Sequence, residues 1–465
     1  MTTTIELIRV VLESREPGAV TEPWFGGQNE PDRVPLHDHK GKSALPATSV
    51  AGNLRAHIAS SSGEEFATRI MGYVEGNNAQ ASSLQVVGTK LIAGGETLDE
   101  RSTAIDRRRA AARTSTLRYT KTLDKGSVFG VFLRWDDPAE EDLAQFTKLL
   151  ASWRPLLGSG VSAGRGAMTV LSIHHGRLDL TDAADLRTFL TTSGPGLFKE
   201  VAPATDEHQI VPQARAVDQL TFTMRLVDAL HIGSGTTKPE NGHEVAQVVK
   251  SDGMPLVPAR ALRGVIRSRV EFILRSLEIG ACCDQKCGTC LACDIFGHGG
   301  GESDTDSVGK RSRVRFLDAP IESAVLAQRT HAPIDRFTGG SAKSVQAGEG
   351  QRLFTQEVVD AGTFTITVEP LGITPAEPAV WEDAKALITL AIHDMHLGYV
   401  GLGGGTTRGQ GTVSWCEIAE SESVDAEQKI SEAAKEAKQL LASARVRLRE
   451  INDSPRSKPE DKEAA

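Results

Sequence analysis

The 465-residue chain repeats itself once. Four signatures occur in its first half and recur in the same order in its second. Strand-like Leu7–Val11 matches Phe222–Leu226. Leu45-Pro46, followed by Gly52 and Arg55, matches Val257-Pro258, followed by Gly264 and Arg267. Ile105-Asp106-Arg107 matches Ile334-Asp335-Arg336. A Gly-rich run from Gly158 to Gly166 that holds Arg165 matches one from Gly401 to Gly411 that holds Arg408. A solenoid unit spans only about 20–50 residues, so a repeat this long reads as two homologous domains in tandem. The separation grows from 212 residues at Pro46/Pro258 to 243 at Arg165/Arg408, so the second copy carries insertions. A fused pair suits a chain that presents one function at two positions along a partner.

The order of predicted elements bounds the fold. Ile5–Leu12, Ser127–Trp135 and Ala167–His174 read as strands. Ser49–Ser60 reads as a helix that Thr48 or Ser49 can cap. Glu140–Trp153 places Leu143, Phe146, Leu149, Leu150 and Trp153 on one helical face. The second half repeats this: strand Leu220–Leu226, helix Arg260–Leu277, strand Thr363–Glu369, helix Trp381–Met395 and strand Gly411–Ile418. Strand–helix–strand–strand–helix–strand, twice, predicts an α+β protein of two tandem ferredoxin-like (RRM-like) domains. The expected boundaries are 1–200 for domain one, 201–216 for a linker and 217–420 for domain two. Residues 421–465 are expected to form a helical and then disordered tail.

Composition narrows the function. Hydrophobic residues make up 39% of the chain, enough for two cores, whereas aromatics at 5% argue against binding by many stacked rings. A net charge of −9 argues against a nonspecific nucleic-acid sponge. The basic residues nevertheless cluster, at Arg101–Arg118 and at Lys310–Arg315. No apolar run of membrane-spanning length and no signal peptide is read, so the expected compartment is the cytoplasm.

Five of the six cysteines fall in Cys282-Cys283-x3-Cys287-x2-Cys290-x2-Cys293. That spacing lets a tight turn aim sulfurs at one ion, and thiolates suit tetrahedral zinc. Cys283, Cys287, Cys290 and Cys293 are the preferred ligands. Cys282 can replace Cys283, His298 can replace one sulfur, and an iron–sulfur cluster is the competing metal. Four protein ligands leave no open position, so the zinc would be structural. The Gly-rich runs let backbone amides approach an anion, with Arg165 and Arg408 placed to fork a phosphate, or they serve close packing alone. Neither run is a P-loop, and Gly41-Lys42-Ser43 lacks the upstream glycine of one.

Taken together, these residues resemble the RAMP superfamily, specifically the backbone subunits of type III CRISPR–Cas effector complexes (the Csm/Cmr class). The specific marks are Pro-Ala-Arg-Ala-Leu-Arg-Gly-x-x-Arg at Pro258–Arg267, the Cys-rich segment running into Asp-Ile-Phe-Gly at Cys287–Gly297, Ile-Asp-Arg-x-Thr-Gly at Ile334–Gly339, and the Gly-rich loops. The resemblance covers nearly all of residues 1–420. It implies two RAMP domains that grip guide RNA (crRNA) beside other effector subunits. Each domain would carry a β-hairpin thumb, within Asp106–Arg118 and Asp335–Arg352, and the second a zinc-binding insertion near 282–298. Arg107, Arg108 and Arg336 would contact guide phosphates. Arg55, Arg260, Arg263 and Arg267 would do so at helix starts, and the alternative for Arg267 is an internal salt bridge. Complementary target RNA would be cut by an acid in the loop before the first helix, with Mg²⁺ or Mn²⁺. In domain one that loop is Trp24–Lys42, offering Asp32 and then Asp38. In domain two it is Ser234–Asp252, offering Glu244 and, further on, Asp252. His37 and His39 flank Asp38 and raise a metal-free alternative, a ribonuclease that matures precursor guide RNA. A scaffold without catalysis is the remaining reading.

Overall fold

The computed structural model describes residues 3–23, 30–76, 78–106, 111–203, 209–210, 218–240, 243–281, 288–299, 309–337, 339–340, 354–373, 377–415 and 424–453. The chain splits into two compact units. One is Met1–Ala104 with Ala112–Val161 and Arg165–Val217; the other is Ile105–Ala111 with Ser162–Gly164 and Asp218–Ala465. Both are mixed α+β.

Unit one opens with β1 (Thr4–Ser14), a short hairpin of β2 (Thr21–Pro23) and β3 (Arg33–Pro35), then α1 (Ala47–Ser62) and α2 (Glu64–Met71). β4 (Leu84–Ala93), β5 (Thr97–Ser102), β6 (Arg118–Leu123) and β7 (Val128–Asp136) follow. The unit closes with α3 (Glu140–Ala151), β8 (Met168–Asp179), α4 (Ala183–Thr191) and α5 (Pro195–Val201). The main sheet runs β8-β1-β7-β4, every neighbouring pair antiparallel. Alternation along β1 feeds two cores. Ile8, Val10 and Leu12 join Val50, Leu54 and Ile58 of α1 and Phe146 and Leu150 of α3. Ile5 and Leu7 face the other way, against Leu197 and Phe198 of α5.

The main elements of unit two are β9 (Leu220–Leu226), β10 (Gly233–Glu240), β11 (His243–Val248), α6 (Ala259–Ser276), α7 (Leu291–Phe296), β12 (Val314–Phe316), β13 (Glu322–His331), β14 (Phe354–Pro370), α8 (Pro378–His396), β15 (Val413–Trp415) and α9 (Val424–Asp453). Its strands run β15-β9-β14-β12, again antiparallel. One 17-residue strand, β14, does the work that unit one divides between β6 and β7: its first half pairs with β11 and β13, its second with β9 and β12.

Register sharpens the internal repeat. Leu12 and Ser14 face Val170 and Met168, as Met224 and Leu226 face Trp415 and Val413. The counterpart of Phe222–Leu226 is therefore Val10–Ser14, three residues beyond the Leu7–Val11 match.

Three expectations change. Neither Thr48 nor Ser49 caps α1, which begins after Pro46 with no side-chain cap. α6 begins likewise after Pro258, where the Asp318 carboxylate accepts the Ala259 N–H at 2.7 Å. Part of the 201–216 linker is built into unit one, because Gln209–Ile210 pairs with β8 at His174 and Ile173. α9, assigned to the tail, packs into unit two: Ala437, Leu441 and Ile451 are buried in its core, and Arg447 bridges to Asp383 of α8 at 2.7 Å.

Glu6 is wholly buried on β1, where His175 and Arg177 of β8 both bond its carboxylate. Arg177 continues to Glu140 of α3 at 2.6 Å. Burial pushes the Glu6 carboxyl up, but the bonds from His175 and Arg177 outweigh it and leave the pKa lowered. A lowered folded-state pKa gives stability above the unfolded value of about 4.3 that is lost as pH falls through the folded value. Glu6→Gln is expected to cost about 1–3 kcal/mol near neutral pH and to flatten the acid limb of unit one's stability, read by urea denaturation between about pH 3 and 7.

Candidate nucleic-acid interface

The Gly-rich loops superimpose by their backbone bonds. Leu157 N–H donates to Gly166 O and Leu402 N–H to Gly411 O; Arg165 N–H donates to Gly160 O and Gln410 N–H to Gly405 O. The structural counterpart of Arg165 is therefore Gln410, and Arg408 stands where the first Gly-rich loop has Ala163. This corrects the pairing of Arg165 with Arg408. Arg165 lies mostly buried and ion-paired to Glu100 of β5. Gln410 is buried and accepts from Gln356 of β14 at 3.1 Å. Each side chain anchors its loop from beneath. Arg408 instead ends a short 3₁₀ turn, Thr406–Arg408, and is exposed.

Arg55 and Arg267, expected at helix starts, lie in the middle of α1 and α6, well past the free backbone amides of a first turn, and they occupy one structural position. Arg55 on α1 sends Nη1 to Ala67 O and Gly72 O and Nη2 to Glu64 and Thr68. Arg267 on α6 sends Nη1 to Phe296 O and Gly297 O and Nε to Glu271 at 2.9 Å. Both forks hold the carbonyl of the glycine that ends the next short helix, Gly72 or Gly297, each of which takes positive φ. Arg267 is only 2% exposed, so it forms the internal salt bridge and is not a surface contact. Arg263 donates to Phe296 O at 2.5 Å, and Arg260 is half-buried at the start of α6.

The candidate acids differ in the same way. Asp32 is exposed beside β3; its N–H donates to Tyr119 O at 2.7 Å, and Tyr119 N–H donates back to its Oδ2 at 2.8 Å. Asp38 Oδ1 accepts the Lys42 and Lys40 N–H groups, which hold its pKa below the usual value and close its turn. His37 and His39 on either side are exposed. A cavity of about 290 Å³, lined in part by His37, Lys42 and Ser43, opens beside this turn.

In domain two the expected loop is a hairpin, β10–β11, and Glu244 is exposed on it. β3 pairs in parallel with β6, Arg33 opposite Thr120; β11 pairs in parallel with β14, Ala246 opposite Gln356. Gly18 N–H to Leu123 O and Leu230 N–H to Val359 O set the two pairings in the same register. Asp32 thus corresponds to Val245, which is 1% exposed. Glu244 lies one residue away, and one residue in a strand is the opposite face.

Around the second thumb candidate, no residue of β13 is buried. The chain reaches a turn in which Asp335 Oδ1 accepts the Phe337 N–H at 2.9 Å. Arg336 is exposed there, and Phe337 is 99% exposed. Phe337 was not among the expected contacts, although its place between Arg336 and Thr338 in an aromatic-poor chain was the available signal. Arg107, Arg108 and residues 341–353 lie outside the described residues.

Cys283 and Cys287 also lie outside them. Cys290 is the N-cap of α7, its Sγ accepting Cys293 N–H at 3.4 Å. Cys293 is buried and takes an N–H from Arg267 Nη2 at 3.7 Å. His298 approaches the same turn: a Cβ on Gly288 would meet its Nε2 at 3.0 Å, while Nδ1 lies 3.1 Å from Gly299 O. Among the described residues no three metal-ligating side chains converge. A guanidinium beside a sulfur suits a thiolate ligand, so the cysteines that are described fit a zinc site. The segment is an insertion between helices, since Gly63 alone separates α1 from α2 whereas residues 277–290 separate α6 from α7.

Residues 223–414 match the RAMP superfamily model. Among solved structures, a chain from a type III-B Cmr-beta cryo-EM structure in the apo state matches at 10% identity, over 35% of this chain and 96% of that one, with a TM-score of 0.32. No curated protein matches. Among the described residues no helix is long and apolar enough to cross a membrane.

The loops make a direct test of the matched geometry. A Cβ on Gly166 or Gly411 would fall 1.9 Å from Leu157 O or Leu402 O, and both glycines have positive φ. Alanine at either is expected to cost about 1–3 kcal/mol in its own unit. Gly52→Ala, in helix α1 with open space around it, should be neutral or stabilising by up to about 1 kcal/mol. Urea denaturation of the three variants checks this.

Proposed function

Because residues 223–414 belong to the RAMP superfamily, we propose that this chain is a guide-RNA-binding backbone subunit of a type III CRISPR effector complex, built as two tandem ferredoxin-like domains. The observation that carries the reading is the repeat of the matched unit in unit one. The strand order, the arginine bond to the glycine carbonyl after the short helix and the Gly-rich loop's backbone bonds recur there. One family match therefore speaks for both halves.

Guide contact would fall to the exposed groups: Arg408 on its loop, and Arg336 with Phe337 on the second thumb. Arginine supplies sequence-independent phosphate contacts, and an exposed ring offers a face for a base. Arg55, Arg165 and Arg267 support these surfaces from within. The partners would be guide RNA, complementary target RNA and other effector subunits. Zinc held by the cysteine segment would be structural.

Cleavage of target RNA, in this reading, belongs to domain one. Asp32 is exposed and has one oxygen bonded, whereas Asp38 closes its own turn. A Mg²⁺ or Mn²⁺ ion held by Asp32 would supply charge stabilisation at the phosphate. Asp32 itself would orient that ion, while the Tyr119 N–H fixes the carboxylate's direction. Domain two has Val245 at this position and would not cut. The second reading, a scaffold without catalysis, draws on the bracing of backbone amides by both Asp32 and Asp38.

The test is cleavage of a labelled complementary RNA by the guide-loaded complex in Mg²⁺. Asp32→Ala should remove one cut and leave guide binding intact, while Glu244→Ala should cut as the native chain does. Unchanged cleavage by Asp32→Ala would return the chain to the scaffold reading. Arg336→Ala and Arg408→Ala should each lower the salt slope of guide binding by about 1.

A further inference from the structure

The helix-pinning fork has different final partners in the two units. In unit one, Arg55 Nη2 reaches the Thr68 hydroxyl at 3.2 Å. In unit two, Arg267 Nη2 reaches the Cys293 sulfur at 3.7 Å. Thr68 and Cys293 are the same structural position. Ser83 N–H bonds Ile70 O as Arg313 N–H bonds Ile295 O, and the Ser82 and Ser312 hydroxyls bond those same carbonyls. Counting two residues back from each carbonyl gives Thr68 and Cys293. The glycines that follow agree: a Cβ on Gly72 would meet Gln80 O and Ser82 N, and one on Gly297 would meet Lys310 O and Ser312 N.

We infer that Arg267 is a positioning residue for the metal: the fork that docks α7 on α6 also holds the Cys293 sulfur, so metal loading depends on that fork while the docking does not depend on the metal. The inference rests on the structural-zinc reading above. One guanidinium holds the Phe296 and Gly297 carbonyls, Glu271 and the Cys293 sulfur. A planar fork with five donors can satisfy all of these at once, and an ammonium cannot. The sulfur is thereby set in direction before any ion arrives. Groups of this kind, behind the ligands, typically change metal affinity by 10–100-fold. Unit one shows the same fork holding its short helix with a hydroxyl in place of the thiol, so the fork does not need a metal. The metal, by contrast, needs the fork.

The experiment uses the full chain and zinc itself. Zinc content of the native protein, by elemental analysis, tests the underlying reading: a chain purified under reducing conditions without zinc would remove that reading rather than the inference. With zinc present, its release to a chromogenic chelator is followed for Arg267→Lys and for Arg55→Lys. Arg267→Lys should speed release at least about tenfold, and in the cobalt-substituted chain it should shift the sulfur-to-cobalt absorption band. Arg55→Lys, which weakens the twin fork, should change neither. Equal release from both variants and the native chain would overturn the inference, because a merely structural arginine predicts that result. Should Arg267→Lys fail to fold, Cys293→Thr serves instead, since it installs the side chain unit one uses. It should lose zinc while keeping hydrogen-exchange protection at Ile295–Gly297. Retention of stoichiometric zinc, or loss of that protection, would overturn the inference.

Discussion

An arginine fork at the end of a short helix, half-buried in unit one and buried in unit two, organises both halves of this protein. A helix leaves its last carbonyls without intrahelical partners, and the short helices α2 and α7 end inside the protein. Arg55 and Arg267 supply the missing donors from the neighbouring helix. The glycine that follows each helix must turn with positive φ, because a side chain would strike the backbone of the segment returning toward the sheet. Helix, glycine and returning strand are thereby held together at one point. The sheet order β8-β1-β7-β4, and its twin in unit two, depends on that return.

The same logic separates what each unit can do. The scaffold is repeated closely, down to the serine that bonds two carbonyls after each glycine. The differences sit where the scaffold leaves freedom. The inter-helix connection holds one glycine in unit one and a cysteine-rich segment in unit two. The loop anchor is an Arg165–Glu100 ion pair in one and a Gln410–Gln356 amide pair in the other. The matched position ahead of the first helix holds Asp32, just before β3, in one and buried Val245 of β11 in the other. The two units differ at positions that do not bear the fold.

Much of the architecture was legible in advance. The apolar face of Glu140–Ala151 and the whole of Leu220–Leu226 follow from periodicity, which reports burial directly. The duplication was legible because it is written in residue types. Its register was not. Matching Leu7 to Phe222, Arg165 to Arg408, or Asp32 to Glu244 used chemical likeness, and likeness tolerates a slip of one to three residues that a hydrogen-bond ladder forbids. A slip of one in a strand exchanges buried for exposed, which is the difference between Val245 and Glu244. The hairpins β2–β3 and β10–β11, and the α9 packing on α8, were read as loop or tail because short strands and charged helices declare themselves only through partners distant in the chain.

The amino-acid sequence alone determined that there are two related α+β units, that a cysteine-rich insertion marks the second, and that glycine and arginine are needed at matched places. These are properties of composition, periodicity and order along the chain. Only the tertiary structure decided which arginines face inward. A guanidinium is equally suited to a phosphate in solvent or to a carbonyl in the interior. Arg55 and Arg267 found buried carbonyls, Arg165 a glutamate, and Arg336 and Arg408 were left exposed, because burial depends on what the rest of the chain brings alongside.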